Sequence, residues 1–254
     1  MPRFSNKVIL VTGASSGIGL ATARLLAAEG ARLVLSGRSA DALAELCAEI
    51  SATGGKAEAL AGDVRDEDTA RALVRIAEDR FGGLDAAFNN AGIVGDMGPL
   101  EELPLEAWRT LVDTNVTGAF LGAKHQIPAL RRRGGGALLF TSSFVGVGAG
   151  LPGMAAYAAT KAALVGLAQG LAVEHGEGGI RVNALVVGGT DTPANTARGA
   201  GPEVLEFIQK LHALRRLAEP EEIARAAAFL LSDEASFVTG SAMAVDGGAS
   251  VTKT

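Results

Sequence analysis

One short segment constrains this chain more than any other. Residues 12–19 read Thr12-Gly13-Ala14-Ser15-Ser16-Gly17-Ile18-Gly19 and follow directly on the apolar run 7–12. A strand that ends in glycines at these spacings and then becomes a helix has few uses. Gly13 permits the tight turn, Gly17 lets backbone approach a pyrophosphate, and Gly19 lets the helix pack closely on its sheet. Ser15, Ser16 and Ile18 complete the loop. The N-terminus of such a helix offers unpaired N–H groups and partial positive charge to an anion. A purely structural glycine turn is the alternative. It is disfavoured by the position after a first strand and about 20 residues ahead of a ribose-reading position.

The rest of the chain keeps the same rhythm. Apolar strands are expected at residues 7–12, 32–36, 56–61, 84–89, 137–142, 180–187 and 242–245. Helices are expected at 17–29, 40–53, 67–81, 154–175 and 219–231, with Pro104 opening another long one. Near-continuous apolar strands alternating with helices predict a doubly wound α/β (Rossmann) fold. Its mainly parallel seven-stranded sheet has helices on both faces and ligands at the carboxyl ends of the strands. The 254 residues suit one domain, 1–254, with 48% hydrophobic residues, enough for a full core. Residues 192–214 interrupt the rhythm with Pro193, Gly199, Gly201 and Pro202 before a helical stretch. They form a candidate lid, with Gly199 and Gly201 as its hinge.

Composition removes several function classes. A net charge of -5 and no long basic run exclude nucleic acid as a partner. Arg131, Arg132 and Arg133 read as a solvated helix end. His125, His175 and His212 lack ligand spacing, so no metal is expected, and Cys47 has no second cysteine to pair with. No signal peptide is expected at the N-terminus, and no run of about 18 uncharged apolar residues suggests a membrane span. A cytoplasmic enzyme is the expectation.

Candidate ligand and reaction residues fall at strand ends. The second strand ends in Ser36-Gly37-Arg38 with no acidic side chain to accept a ribose 2′-hydroxyl. Arg38 suits a 2′-phosphate, which favours NADP(H) over NAD(H). The alternative is an arginine that stacks on the adenine of either cofactor. Asp63, next to Val64, is placed either for an adenine amino group or as a helix N-cap. Asn90, Ala91 and Gly92 would line the nicotinamide ribose. Tyr157 and Lys161, four apart, share one helix face, and the ammonium would lower the phenol's pKa from about 10. Such a phenol can donate or accept a proton near neutral pH. Ser143, at the end of the fifth strand, could hold a carbonyl oxygen against it.

These motifs together resemble the short-chain dehydrogenase/reductase family. The resemblance rests on the residues 12–19 loop, Asn89-Asn90-Ala91-Gly92, Asn115, Ser143 and Tyr157-Ala158-Ala159-Thr160-Lys161. It runs from about Asn6 to the Val245-Asp246-Gly247-Gly248 ending. The three residues between Tyr157 and Lys161 are similar to the short, single-domain members, unlike the epimerase-type members and the enoyl reductases. The resemblance implies that Tyr157 is the acid/base and that Lys161 tunes it and binds the nicotinamide ribose. It further implies that Ser143 polarises the substrate oxygen and that Asn115, in the fourth long helix, holds a water behind Lys161. Thr190 and Thr192 would hold the carboxamide and a phosphate. Val187-Gly188 replaces the family's usual Pro-Gly, which would loosen that turn. Val94, Val145, Met154 and Gly189, with the lid, would line a pocket for a neutral ketone or secondary alcohol. A carrier-protein-linked 3-oxoacyl reductase and a non-catalytic nucleotide sensor are the competing readings. The resemblance also implies a homotetramer with twofold axes.

Overall fold

The computed structural model describes residues 2–192 and 202–252. Seven strands alternate with helices: β1 (Val8–Thr12), α1 (Gly17–Ala28), β2 (Arg32–Gly37), α2 (Ala40–Ala52), β3 (Lys56–Ala61), α3 (Glu67–Phe81) and β4 (Ala86–Asn89). Then come α4 (Leu105–Val112), α5 (Gly118–Arg133), β5 (Gly136–Ser143), a short helical turn α6 (Phe144–Val147), α7 (Ala155–His175) and β6 (Ile180–Val187). The last elements are α8 (Pro202–Leu211), α9 (Pro220–Leu231) and β7 (Ala242–Val245). The sheet order is β3-β2-β1-β4-β5-β6-β7, and every pairing is parallel. The order reverses between β1 and β4, which opens a crevice at their carboxyl ends.

Both faces of the sheet are buried over its five central strands, as their near-continuous apolar runs require, while the edge strands β3 and β7 are partly exposed. Successive side chains of a strand point to opposite faces. Ile9, Val11, Leu139 and Leu185 therefore join Leu26 of α1, Leu46 of α2 and Ile223 of α9 in one core. Val8, Leu10, Leu138 and Val182 join Leu73 of α3, Ile127 of α5 and Leu164 of α7 in the other. A third, smaller cluster of Phe144, Val145, Val186 and Ala249 packs under Tyr157.

The long helix expected from Pro104 is broken. Pro104 precedes α4, and residues Asp113–Thr117 form a π-helical turn before α5 resumes. Asn115 sits in that widened turn rather than in a regular helix. Its side chain bonds sideways to a neighbouring loop, a use that π-turns at functional sites often serve. By length and mean hydropathy α7 could cross a membrane, but Lys161 interrupts its apolar run, and Leu164, Ala168 and Ala172 place it in the core against the sheet. The arginine triplet ends α5 before Gly134, which is left-handed (φ 92), at the amino edge of the sheet. Arg132 pairs with Glu78 and Arg133 with Asp85. Of the candidate lid, Thr192 and α8 onward are described; Pro193, Gly199 and Gly201, with its hinge, lie outside the described residues.

The loop after β5 depends on Gly146. Its φ is +96, and an added Cβ would collide with the Ala158 carbonyl oxygen of α7. Gly146→Ala is expected to cost about 2–4 kcal/mol and to lower the melting temperature by roughly 5–10 °C. Thermal unfolding followed by circular dichroism checks this; a fall below about 2 °C would mean that the backbone yields there.

Candidate active site

A cleft of about 930 Å³ runs along the carboxyl ends of the strands. One end begins at the β1–α1 turn, where Gly13 and Gly17 are left-handed (φ +67 and +52). A Cβ on Gly17 would lie 2.9 Å from Thr192 Cγ2, and one on Gly19 would meet the Gly13 carbonyl oxygen. Ser16 makes no side-chain cap for α1, whose first turn holds no acidic residue. The helix thus keeps its positive end available for an anion. A glycine-built cradle at an uncapped helix end fits a dinucleotide pyrophosphate.

Gly13, Ser15, Ser16, Gly17, Ile18, Arg38, Asp63, Val64, Asn90, Ala91, Gly92, Gly188, Thr190 and Thr192 all line this cleft. So do Ser143, Tyr157, Lys161, Val94, Val145, Met154 and Gly189. Two expected residues stand behind it: Gly19, packed under the loop, and Asn115, 1% exposed. Asn115 Oδ1 accepts from Ile93 N at 2.8 Å, while its Nδ2 donates to Ile93 O at 2.9 Å and to Thr160 Oγ1 at 3.0 Å. Its carboxamide therefore clamps the loop after β4.

Asp63 is not a helix N-cap. Asp66 takes that place at α3, accepting from Asp68 N. Asp63 instead pairs with Arg65, Nη2 to Oδ2 at 2.7 Å, and this bond holds its carboxyl below the usual range. Arg65, unforeseen from the sequence, thus lines the adenine-side wall with the exposed Arg38. An acidic side chain at position 37 would require Ser15 to shift, since a Cβ there would lie 2.8 Å from its Oγ.

The adjacent serines at the end of β5 face opposite ways. Ser143 lines the cleft and its Oγ accepts from Val145 N at 3.2 Å. Ser142 is fully buried and donates to the Lys161 carbonyl at 2.7 Å. Lys161 Nζ donates to the Thr141 carbonyl at 2.8 Å and lies 5.7 Å from the Tyr157 ring centre. Burial lowers the lysine pKa to about 8. The far wall holds Val204, Leu205, Phe207, Ile208 and Leu211 of the expected lid, together with Met97, Leu151, Pro152 and Leu217, which the sequence had not singled out. Val204, Ile208 and Leu211 fall at i, i+4 and i+7, the helical spacing expected of that stretch.

The buried lysine carries a signed consequence for stability. Below about pH 8 the ammonium is charged in both folded and unfolded chains, and the fold bears the cost of burying it. Between the folded value of about 8 and the ordinary 10.5, only the unfolded chain keeps the proton, so stability rises with pH. The cost at neutral pH is on the order of 3 kcal/mol. Lys161→Met is therefore expected to raise the melting temperature of the cofactor-free protein at pH 7. The gain should vanish toward pH 10.5, where only the lost bond to Thr141 remains. Melting curves across this range check it; a lower melting temperature at pH 7 would show that the surroundings fully compensate the charge.

Comparison with known proteins agrees with this geometry. A family model described as enoyl-(acyl carrier protein) reductase matches residues 13–250. The chain is 42% identical to a cyclohexanol dehydrogenase of Acinetobacter sp. (strain SE19) over 245 residues, 96% of this chain and 95% of that protein. It is 45% identical to a 2,5-dichloro-2,5-cyclohexadiene-1,4-diol dehydrogenase of Sphingobium indicum over 250 residues, 98% of each. The solved structure of levodione reductase superposes with a TM-score of 0.94 at 37% identity, covering 99% of this chain and 100% of that one. With its parallel seven-stranded sheet and crevice-edge cleft, the chain belongs to the short-chain dehydrogenase/reductase family of nicotinamide-dependent oxidoreductases.

Proposed function

We propose that this protein is an NADP(H)-preferring dehydrogenase or reductase that interconverts an uncharged alicyclic secondary alcohol and its ketone. One observation carries the reading: a single cleft joins the glycine cradle to Ser143, Tyr157 and Lys161, and its far wall is apolar. Among the described residues of that wall, none is charged. A phosphate, carboxylate or carrier-linked substrate would find no partner there. Two relatives are dehydrogenases of six-membered carbocycles by name, which suits the same wall.

Gly13–Gly19, Arg38, Asp63, Asn90 and Thr192 would hold the cofactor, which when bound supplies or accepts a hydride. The chain's own residues do the rest. Ser143 donates a hydrogen bond to the substrate oxygen and holds it against Tyr157. In ketone reduction the Tyr157 hydroxyl delivers its proton to that oxygen; in alcohol oxidation the phenolate takes it back. The Lys161 ammonium, close to the ring, stabilises the phenolate. Asn115 holds the loop at Ile93, and with it Ala91 and Gly92, in place. The apolar wall excludes water from the transfer.

A 3-oxoacyl carrier would need basic side chains beside the mouth of the cleft. Arg131–Arg133 lie at the opposite, amino-terminal ends of the strands, and two of them are ion-paired, so they do not supply that surface. A tetramer suits the exposed apolar side chains of the long helices, Phe120 on α5 and Val173 on α7, 50% and 87% exposed.

Turnover of alicyclic ketones, 3-oxoacyl and enoyl thioesters with NADPH and NADH tests the reading. Alicyclic ketones with NADPH are expected to be fastest; binding of NADPH without turnover of any substrate would favour a sensor. Tyr157→Phe should lose at least about 10²-fold in rate while keeping cofactor affinity. Arg38→Ala should weaken NADPH binding by about 1.5–3 kcal/mol and NADH binding little. Equal losses would reduce Arg38 to an adenine-stacking side chain. Light scattering is expected to give the mass of four chains; a mass near 25.7 kDa would rule that assembly out.

A further inference from the structure

His212, just past the end of α8, is 1% exposed and takes no part in the chemistry above. Its ring bridges three segments. Nε2 accepts from the Gly189 backbone N–H at 2.9 Å. Nδ1 lies 2.8 Å from the Ile208 carbonyl oxygen. The ring packs against Phe144, which follows Ser143, with centroids 5.9 Å apart. These bonds fix its chemical state. An acceptor at Nε2 carries no hydrogen, so the proton sits on Nδ1 and donates to Ile208, giving a neutral imidazole of one tautomer.

The segment it grips is the one where Val187-Gly188 stands in place of a proline-stiffened turn. Gly189 is shaped to it, since an added Cβ would lie 2.9 Å from His212 Cε1 and 3.1 Å from Ile208 Cγ2. Gly188 N donates to Val245 O and Ala218 N to Gly189 O, but the Gly189 N–H has its bond from the imidazole. Without the ring this donor would be left unpaired in an apolar surrounding.

We infer that His212 is a positioning residue that latches α8 to the backbone after β6 and so aligns the nicotinamide end of the cleft with Ser143. It does by a hydrogen bond what a rigid turn would do by covalent geometry. Movement of α8, which carries the apolar wall, is thereby coupled to the cofactor loop. The inference rests on the proposed hydride-transfer reading.

Three measurements test it. Nitrogen-15 spectra of the cofactor-free protein are expected to show His212 neutral with its proton on Nδ1; a proton on Nε2 would overturn the latch. His212→Leu, which packs but cannot accept, should lower kcat by about 10- to 100-fold with a smaller change in ketone KM. His212→Gln, whose amide oxygen can accept from Gly189, should recover most of that loss. The fluorescence of bound NADPH should weaken in the Leu variant and return in the Gln variant. Equal kcat and fluorescence in wild type and both variants would overturn the proposal, as would equal losses in both variants. If the wild-type protein binds NADPH yet turns over no ketone, the functional reading fails, while the spectra and fluorescence still decide the role of His212.

Discussion

At the last position of β1, the Thr12 hydroxyl oxygen accepts two backbone N–H groups, from Asn90 at 3.0 Å and Ala91 at 3.1 Å. Asn90 in turn accepts from the Thr141 hydroxyl at 3.1 Å, and the Thr141 carbonyl receives the Lys161 ammonium at 2.8 Å. This chain of bonds runs from β1 through β4 and β5 to α7. It crosses the point where the strand order reverses. Strand ends that flank a crevice have few neighbours to hold them in register. Here polar side chains at the lip do so, in surroundings where each bond is stronger than in water. The glycine cradle and the buried ammonium keep their spacing because of it.

The ammonium is costly in its own right. Among the described residues no carboxylate pairs with Lys161, and burial accounts for its lowered pKa. The surrounding fold tolerates this strain because two full cores flank the sheet. A site that spends stability on an unpaired cation fits a position selected for its chemistry.

Much of this was legible in the sequence because it is local. The loop at 12–19, the strand periods and the Tyr157–Lys161 spacing each lie within one element, and the element order alone set the parallel topology. What stayed hidden depends on partners distant along the chain. The π-turn at Asn115 answers to Ile93, 22 positions away in sequence. Asp63 and Asp66 both suit a cap by composition, and only the backbone at the start of α3 decides between them. His212 is a lone histidine until folding brings Gly189, 23 positions away, beside it. By length and mean hydropathy alone α7 cannot be told from a membrane span until the sheet it covers is in view.

The cleft is assembled from two halves of the chain. Most of its cofactor wall comes from residues before Gly92, whereas much of its apolar wall comes from Val145 onward and from α8. The bonds that hold Lys161 run through Thr12, Asn90 and Thr141 and involve nothing in α8. Cleft-facing side chains of α8 can therefore drift without disturbing Tyr157 and Lys161, provided the His212 bonds to Ile208 and Gly189 stay in place. Substrate range is then open to change by descent, one side chain at a time, while the reaction stays the same.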